Sequence, residues 1–511
     1  MPDNPTILLY ITSLALGWLS VLSAYRLWLH PLRRIPGPKL AAITHLYELY
    51  FDAIKGGKYI WQIEKMHERY GPVVRINPRE VHIKDSTFYS VIYAGGRRDK
   101  DPESLFCSLI PDAVLTTVDH DHHKLRRHII DSFFSKQSVA KLDGMIREKV
   151  RILLGQLGQA RRKGTVVELH AALGALTSDV ISEYMYGESL GSLHAPRYRT
   201  PISDSAAHTI GWLHYVRFYP AVFRLAWLLP VQSLGGRLSV VGPVLRLLQF
   251  TRDKADEYLA GTSKSGADGE GKKTIFSALV AETVPPHEKS RQRLVAEVTS
   301  ILAAGTDTTA RTGAVALFYL ARNPVVLKAL RKELFESFSL SRDKGTWVEQ
   351  EIPASSLERL PYLTAVVRES LRLAHPAILR SSRVAAEPVM YKDIAIPSGT
   401  PISQSIYFVS MDPDIFPDPE TFNPDRWIDA AANEVNLHKH LVTFTQGSRQ
   451  CLGISLTYAE LYHLIAAITC TFDWQLHETD LEDIRTTRDF HLAMPECGFY
   501  SAKVIFTGMK G

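Results

Sequence analysis

Helical periodicity starts at Ser290 and runs to about Ala321 without a break. A helix of that length is roughly 45–50 Å long and could cross a whole domain. The apolar spacing on either side is mostly helical, with a few short alternating runs, and the regular βαβ alternation of a Rossmann sheet is missing. The expected fold is therefore mainly α with small β-sheets (α+β). The middle of the long helix reads Ala303-Ala304-Gly305-Thr306-Asp307-Thr308-Thr309. A glycine and three threonines lower helix propensity there, and an aspartate is rarely buried without a purpose. Gly305 removes a side chain, so a flat ligand or a small diatomic could approach the backbone. Asp307 and Thr308 together can hold water and pass protons. The plain alternative is a helix turn whose Asp faces solvent and whose threonines back-bond to carbonyls.

The same spacing predicts helices over 59–69, 124–134, 137–159, 169–186, 241–260, 324–338 and 362–374. Residues 73–76 and 80–83 alternate on either side of Asn77-Pro78 and predict a hairpin. Residues 388–391, 394–396 and 499–506 also read as strands. Residues 211–234 are apolar and aromatic but cut by Pro220 and Pro230. They form either buried core or a surface that dips into a bilayer beside a substrate entrance. Residues 261–273, rich in Gly, Ser and Lys, read as a flexible loop.

A net charge of +5 over 511 residues, with no long Lys/Arg run, is too mild for a nucleic-acid binder. The four cysteines (Cys107, Cys451, Cys470, Cys497) show neither CxxC nor zinc spacing, so no disulfide framework or zinc site is expected. A reducing compartment suits the globular part. No charge lies between Asp3 and Arg26. Some twenty apolar helical residues span a hydrocarbon core of about 30 Å. A cleaved signal would want basic residues ahead of that run, whereas Arg26, Arg33, Arg34 and Lys39 follow it. We expect a single-pass anchor over 1–30, with a luminal N-terminus and a cytosolic body. Pro31, Pro36, Gly37 and Pro38 make a stiff elbow over 31–39, ahead of a catalytic body over 40–511.

Residues 444–453 read Phe-Thr-Gln-Gly-Ser-Arg-Gln-Cys-Leu-Gly. Gly447 and Gly453 flank Cys451 and would let the backbone come close to a large planar ligand. Backbone N–H groups in a tight turn can temper a thiolate, and Arg449 offers charge for an acidic group. A helical pattern begins at Ile454, which would favour the thiolate form. Without this neighbourhood Cys451 would read as an ordinary buried core residue.

The spacing Phe-x-x-Gly-x-Arg-x-Cys-x-Gly resembles the cysteine-ligand loop of the cytochromes P-450. A chance match in a chain of this size is on the order of 10⁻⁴. In order along the chain stand further motifs resembling that family: the proline hinge, a His-x-x-x-Arg helix, Ala-Gly-x-Asp-Thr-Thr, Glu-x-x-Arg, Pro-Asp-Arg-Trp and the cysteine loop. The resemblance implies haem b with Cys451 as the axial iron ligand and Phe444, Gly447 and Gly453 shaping the loop. It implies Arg126, Arg383 and Arg449 on the haem propionates and His122 where relatives carry Trp or His. The choice of Arg126 over Arg127 rests on register alone. Asp307 and Thr308 would manage protons in O₂ activation. Glu369 and Arg372, with Arg426 from the later loop, would hold the cysteine loop in place.

The resemblance also implies a monooxygenase in the endoplasmic reticulum membrane. Its electrons would come from NADPH through a separate reductase docking on the basic face near the cysteine, with cytochrome b5 as an optional second partner. A finer resemblance, to the fungal group that includes trichodiene oxygenase, rests on His30-Pro31-Leu32, Tyr93-Ala94-Gly95-Gly96 and Thr117-Val118-Asp119-His120-Asp121. It implies a hydrophobic terpenoid or polyketide substrate. Residues 100–113, part of the implied substrate roof, match that group only loosely. Motif position places Ala304, Ala377, Ile378 and the Met494 region along the pocket. The rivals are a haem-thiolate isomerase or dehydratase that uses no O₂, and a non-catalytic haem sensor. The intact Asp307-Thr308 pair argues against the first.

Overall fold

The computed structural model describes residues 4–104, 107, 110–199, 210–221, 242–261, 274–338, 351–378, 380–498 and 500–508. Parts of the expected apolar segment (222–234), the Gly/Ser/Lys loop (262–273) and the last strand (Phe499) lie outside these residues. The first helix, α1 (Asn4–Ala24), presents its apolar side chains to the outside. With the turn after it, it makes one stretch, Ile7–Leu29, long and apolar enough to cross a membrane. The prolines beyond it are no free elbow. Leu32 and Ile35 are buried with Val73, Val81 and Ile83, and the Arg75 N–H donates to the Pro36 carbonyl at 2.7 Å. A Cβ on Gly37 would stand 2.5 Å from the Arg75 carbonyl oxygen, so only glycine lets the chain run this close.

Next come α2 (Tyr59–Tyr70) and the expected hairpin of β1 (Val73–Arg75) and β2 (Val81–Ile83), paired antiparallel with Val73 opposite Ile83. Beyond β3 (Asp99–Lys100), α3 (His120–Ile130) starts a turn earlier than the apolar spacing indicates. Its first turn is polar and is capped by the Asp119 carboxylate, which accepts from the His122 N–H. The helix expected over 137–159 is two: a short one, Lys136–Ala140, and α4 (Asp143–Lys163). After β4 (Val167–Glu168), α5 (Leu169–Tyr186) has the expected bounds, and α6 is Gly242–Leu259.

The long helix is α7 (Arg291–Arg322), 32 residues capped by Ser290. Every residue from Thr309 to Phe318 is buried, whereas Ala303 and Ala304 are exposed. Its second half is thus the axle of the core, and the turn Ala303–Ala304 just before it borders a gap. Then follow α8 (Pro324–Phe338), α9 (Pro361–Ala374), β5 (Arg383–Val384), β6 (Val389–Tyr391), β7 (Ile394–Ile396) and β8 (Pro401–Ser403). The chain ends through α10 (Asp425–Ala432), α11 (Ile454–Thr471), β9 (Asp473–Leu476), β10 (Arg488–Phe490), β11 (Leu492–Met494) and β12 (Lys503–Thr507).

The strands form small sheets beside the helical mass. One has the order β1-β2-β8-β5-β3, another β4-β12-β9, and β6-β7 and β10-β11 are hairpins. The main core joins α4, α5, α7, α9 and α11, with Leu153, Leu176, Leu317, Val366 and Leu464 fully buried in it. α11 packs its first turns against the middle of α7, where the Thr309 hydroxyl donates to Thr457 Oγ1 at 3.4 Å. That contact sets the cysteine loop, just ahead of α11, opposite the exposed turn of α7. In the described part of the apolar segment read as either core or surface, Trp212 and Tyr219 are exposed and His214 is buried.

Candidate active site

Cys451 lies between the turn Gly447–Arg449 and the first residue of α11. Its N–H donates to the Phe444 carbonyl at 2.9 Å, which closes the loop. The Phe444 ring packs 5.6 Å from that of Tyr458. Cys451 is accessible, yet the surrounding protein pushes its thiol up. The two facts agree if it faces an internal gap and not bulk water. The Gly453 N–H and, more weakly, the Arg127 guanidinium pull the other way and favour thiolate. Gly447 has φ +77, and a Cβ there would overlap the Tyr93 carbonyl oxygen. It lets the loop pack on Tyr93, so its role differs from the ligand access read from the sequence. At Gly453 a Cβ would meet nothing within 4 Å.

Cations gather on one side of this loop. Arg449 donates from Nη1 and Nη2 to the Thr117 and Val118 carbonyls, each at 2.6 Å, and its buried Nε has no partner. Arg383, buried, donates to Ser381 Oγ at 2.7 Å and stacks 5.1 Å from the Tyr93 ring. Arg127 donates to the Gln450 carbonyl, next to the cysteine, at 2.6 Å. Lys100, also buried, stands directly opposite Arg383 in the β3–β5 pair. Like charges in that position repel. His123 is buried with Nδ1 unpartnered.

Burial, with Arg383 second, lowers Arg449 to about 10, and burial lowers Lys100 to about 8. Burial, then Arg449, Arg127 and Arg383, push His123 down to about 3. Among the described residues, none of Lys100, Arg127, Arg383 and Arg449 has an ion pair with a carboxylate. Desolvated cations without counter-charge are costly, so the cluster is complementary to an anionic group.

His122 and Arg126 do not join it. His122 Nε2 lies 2.5 Å from Glu288 Oε1, and Arg126 Nε donates to Glu288 Oε2 at 2.8 Å. Arg293 reaches the same carboxylate at 3.2 Å. These contacts, chiefly hydrogen bonds from His122 and Arg126, overcome burial and hold Glu288 at about 2. One position further on, Arg127 reaches the cysteine loop and His123 lies near Arg449, Arg127 and Arg383. Both registers share the His-x-x-x-Arg spacing, and only the position of Glu288 separates them.

On α7, the Gly305 side chain is replaced by Ile181, which a Cβ would meet at 3.0 Å. The glycine serves the crossing of α5 and α7, and the backbone facing the gap belongs to Ala303 and Ala304. The Thr308 hydroxyl donates back to the Ala304 carbonyl at 2.8 Å. Asp307 is held by His170 of α5, Nε2 to Oδ1 3.0 Å. Burial alone would raise its pKa, but His170 and then Arg311 outweigh that and lower it.

Behind the loop, Glu369 is buried and saturated. It accepts from Arg372 Nε (2.9 Å) and Nη2 (2.7 Å), Arg426 Nε (3.2 Å), Trp427 Nε1 (2.9 Å) and the Asn423 N–H (3.0 Å). Arg372 also donates to the carbonyls of Ser410, Pro419 and Thr421. The Thr443 hydroxyl donates to the Leu371 carbonyl at 3.1 Å, which couples α9 to the helical turn Val442–Phe444 at the entry of the cysteine loop.

An accessible cysteine on a closed loop, a glycine flank, an open helix turn and cations without ion-pair partners fit a flat, acidic, sulfur-ligated cofactor. The profile of the family described as "Cytochrome P450" matches residues 45–500. The chain is 44% identical over 494 residues to "Cytochrome P450 monooxygenase aflU" of Aspergillus parasiticus, covering 96% of each chain. It is 41% identical over 477 residues to "Cytochrome P450 monooxygenase TRI4" of Fusarium sporotrichioides, covering 92% of this chain and 89% of that one. It is also 41% identical over 474 residues to "Conidiogenone synthase PchP450" of Penicillium rubens, covering 92% and 93%. The chain therefore belongs to the cytochrome P450 family, as an enzyme of its monooxygenase class.

Proposed function

We propose a membrane-anchored monooxygenase of fungal secondary metabolism that inserts one oxygen atom into a hydrophobic terpenoid or polyketide intermediate. Cys451 would hold the iron of haem b, with Arg449, Arg383 and Arg127 on the haem carboxylates and His123 beside them. When bound, that group supplies O₂ activation, and a thiolate ligand favours O–O cleavage. The protein's own part is to hold the thiolate, keep water out, and deliver protons through Asp307 and Thr308. Ala304, Ala377 and the Met494 region would orient the substrate, whereas Ile378, placed there by motif position, is fully buried with Tyr59 and Phe408. Electrons from NADPH would arrive through a separate reductase on the basic face around the loop, with cytochrome b5 as an optional second donor. The apolar stretch Ile7–Leu29 supports single-pass anchoring, for which we propose the endoplasmic reticulum membrane with a cytosolic body.

One observation carries this reading: Arg127, Arg383 and Arg449, without ion-pair partners among the described residues, gather beside the loop of an accessible cysteine that the Gly453 N–H and Arg127 favour as thiolate against burial. The test is the CO-difference spectrum of the reduced, purified protein. A Soret band at the thiolate-ligated position is expected, together with its loss in Cys451→Ser. A band at the histidine-ligated position would refute the assignment. Reductase-dependent NADPH consumption with a panel of terpene hydrocarbons then tests the substrate class.

A further inference from the structure

We propose that His170 is the proton inlet of the site, its imidazole taking protons from solvent and passing them to Asp307. This rests on the haem-thiolate reading above. His170 is the second residue of α5, and its N–H donates to the Glu168 carboxylate at 3.0 Å, which fixes the turn. Its ring sits edge-on to Tyr500, 5.5 Å between centroids. Nε2 is 3.0 Å from Asp307 Oδ1, and the two side chains retain 21% and 18% exposure, so the pair is buried but not sealed.

Arg311, one turn after Asp307, is the permanent cation nearby, but its donors are turned elsewhere. Nε donates to the Ala374 carbonyl at 2.6 Å, Nη1 to the Ala493 carbonyl, and Nη2 to Thr486 Oγ1 at 3.3 Å. Among the described residues, the ion-pair partner of Asp307 is therefore a histidine, a side chain that can both take up and release a proton. The groups acting on the pair are Glu168, Arg311 and Tyr500. Burial disfavours the imidazolium, but Asp307 and then Glu168 outweigh it, and His170 lies above its ordinary value.

In the transfer, the Nε2–H bond of the imidazolium breaks and an Oδ1–H bond forms on Asp307. No electron moves, and an ion pair becomes a neutral pair. Asp307 then releases its proton toward the side of Thr308, and His170 takes another from water.

The test uses the reductase-reconstituted holoenzyme. Glutamine keeps a donor near Nε2 but cannot carry a proton, so His170→Gln separates supply from packing. Histidine C2 hydrogen–deuterium exchange, followed by mass spectrometry across pH, reads His170 directly. Asp307→Asn should lower the His170 midpoint by about one unit or more. During NADPH oxidation without substrate, His170→Gln should raise the fraction released as peroxide and flatten its pH dependence. A His170 midpoint unmoved by Asp307→Asn, or a wild-type pH profile in His170→Gln, overturns the proposal. Both readings apply only while the variants keep the thiolate CO spectrum, whose loss from the wild-type protein would sink the haem assignment instead.

Discussion

Two groups of buried charge flank the cysteine loop, and they are built on opposite plans. The Glu369 network is closed: two arginines, an indole N–H and a backbone N–H fill the carboxylate, and surplus arginine donors reach carbonyls. The cluster of Lys100, Arg127, Arg383 and Arg449 is open: four cations, two of them facing each other across β3–β5, and no ion pair with an acid among the described residues. A closed network holds a shape, and an open one waits for a ligand. The first should therefore lose stability when any member is removed. The second should gain stability in the ligand-free protein and lose affinity.

The largest break in that contrast is Glu369→Ala. It strands Arg372 and Arg426 without counter-charge, at a cost of about 3–5 kcal/mol. We expect no haem-bearing protein on purification, and a normal yield of holo-protein would contradict the assigned role. Next come the two registers of α3. Arg126→Met removes a partner from buried Glu288 and should lower the unfolding free energy by about 3 kcal/mol, while leaving haem retention unchanged. Arg127→Met should do the reverse, and identical behaviour of the pair would erase the distinction between them.

Arg449→Met removes a charge-assisted hydrogen bond to the ligand, a loss of about 1.5–3 kcal/mol. Haem transfer to apomyoglobin should be at least about tenfold faster, while the ligand-free protein melts higher. A lower melting point for the ligand-free variant would count against the open-cluster view.

The smallest effect is a pH dependence at Lys100. Its folded pKa is about 8, against 10.5 for the free side chain, because burial disfavours the ammonium. Between those values the unfolded chain binds more protons, so stability rises with pH. The gain is complete above the unfolded value and is lost as pH falls through about 8. Thermal melts of the ligand-free protein at pH 7 and 9.5 should show this rise relative to Lys100→Met. Parallel curves for the two proteins would exclude it.

Much of the frame was legible because periodicity is local. The spacing of 169–186 and 324–338 gives helices with those bounds, and the long helix begins one residue after Ser290, where its periodicity starts. Cys451 and Arg449 stood out because the spacing of their loop is unusual, whereas Glu369 stood out only through the family resemblance. What failed was information that only tertiary packing carries. His122-His123 and Arg126-Arg127 satisfy the same motif in two registers, and Glu288, more than 150 residues away, chooses between them. Gly305 and Gly447 were read as room for a ligand, but Ile181 and Tyr93 occupy those flanks. Lys100 and His170 gave no signal at all, since a strand pairing and a helix crossing bring them into place.

The docked prolines have a mechanical outcome. Pro36 is stitched to Arg75, Arg75 Nη1 donates to the Arg26 carbonyl at 2.9 Å, and Leu32 is sunk in the sheet core. Little slack is left between the end of the apolar stretch and the first sheet. An enzyme tethered this tightly to a bilayer would drift sideways with the lipid but could not tumble. Any electron carrier sharing that plane would meet it within a narrow range of attitudes.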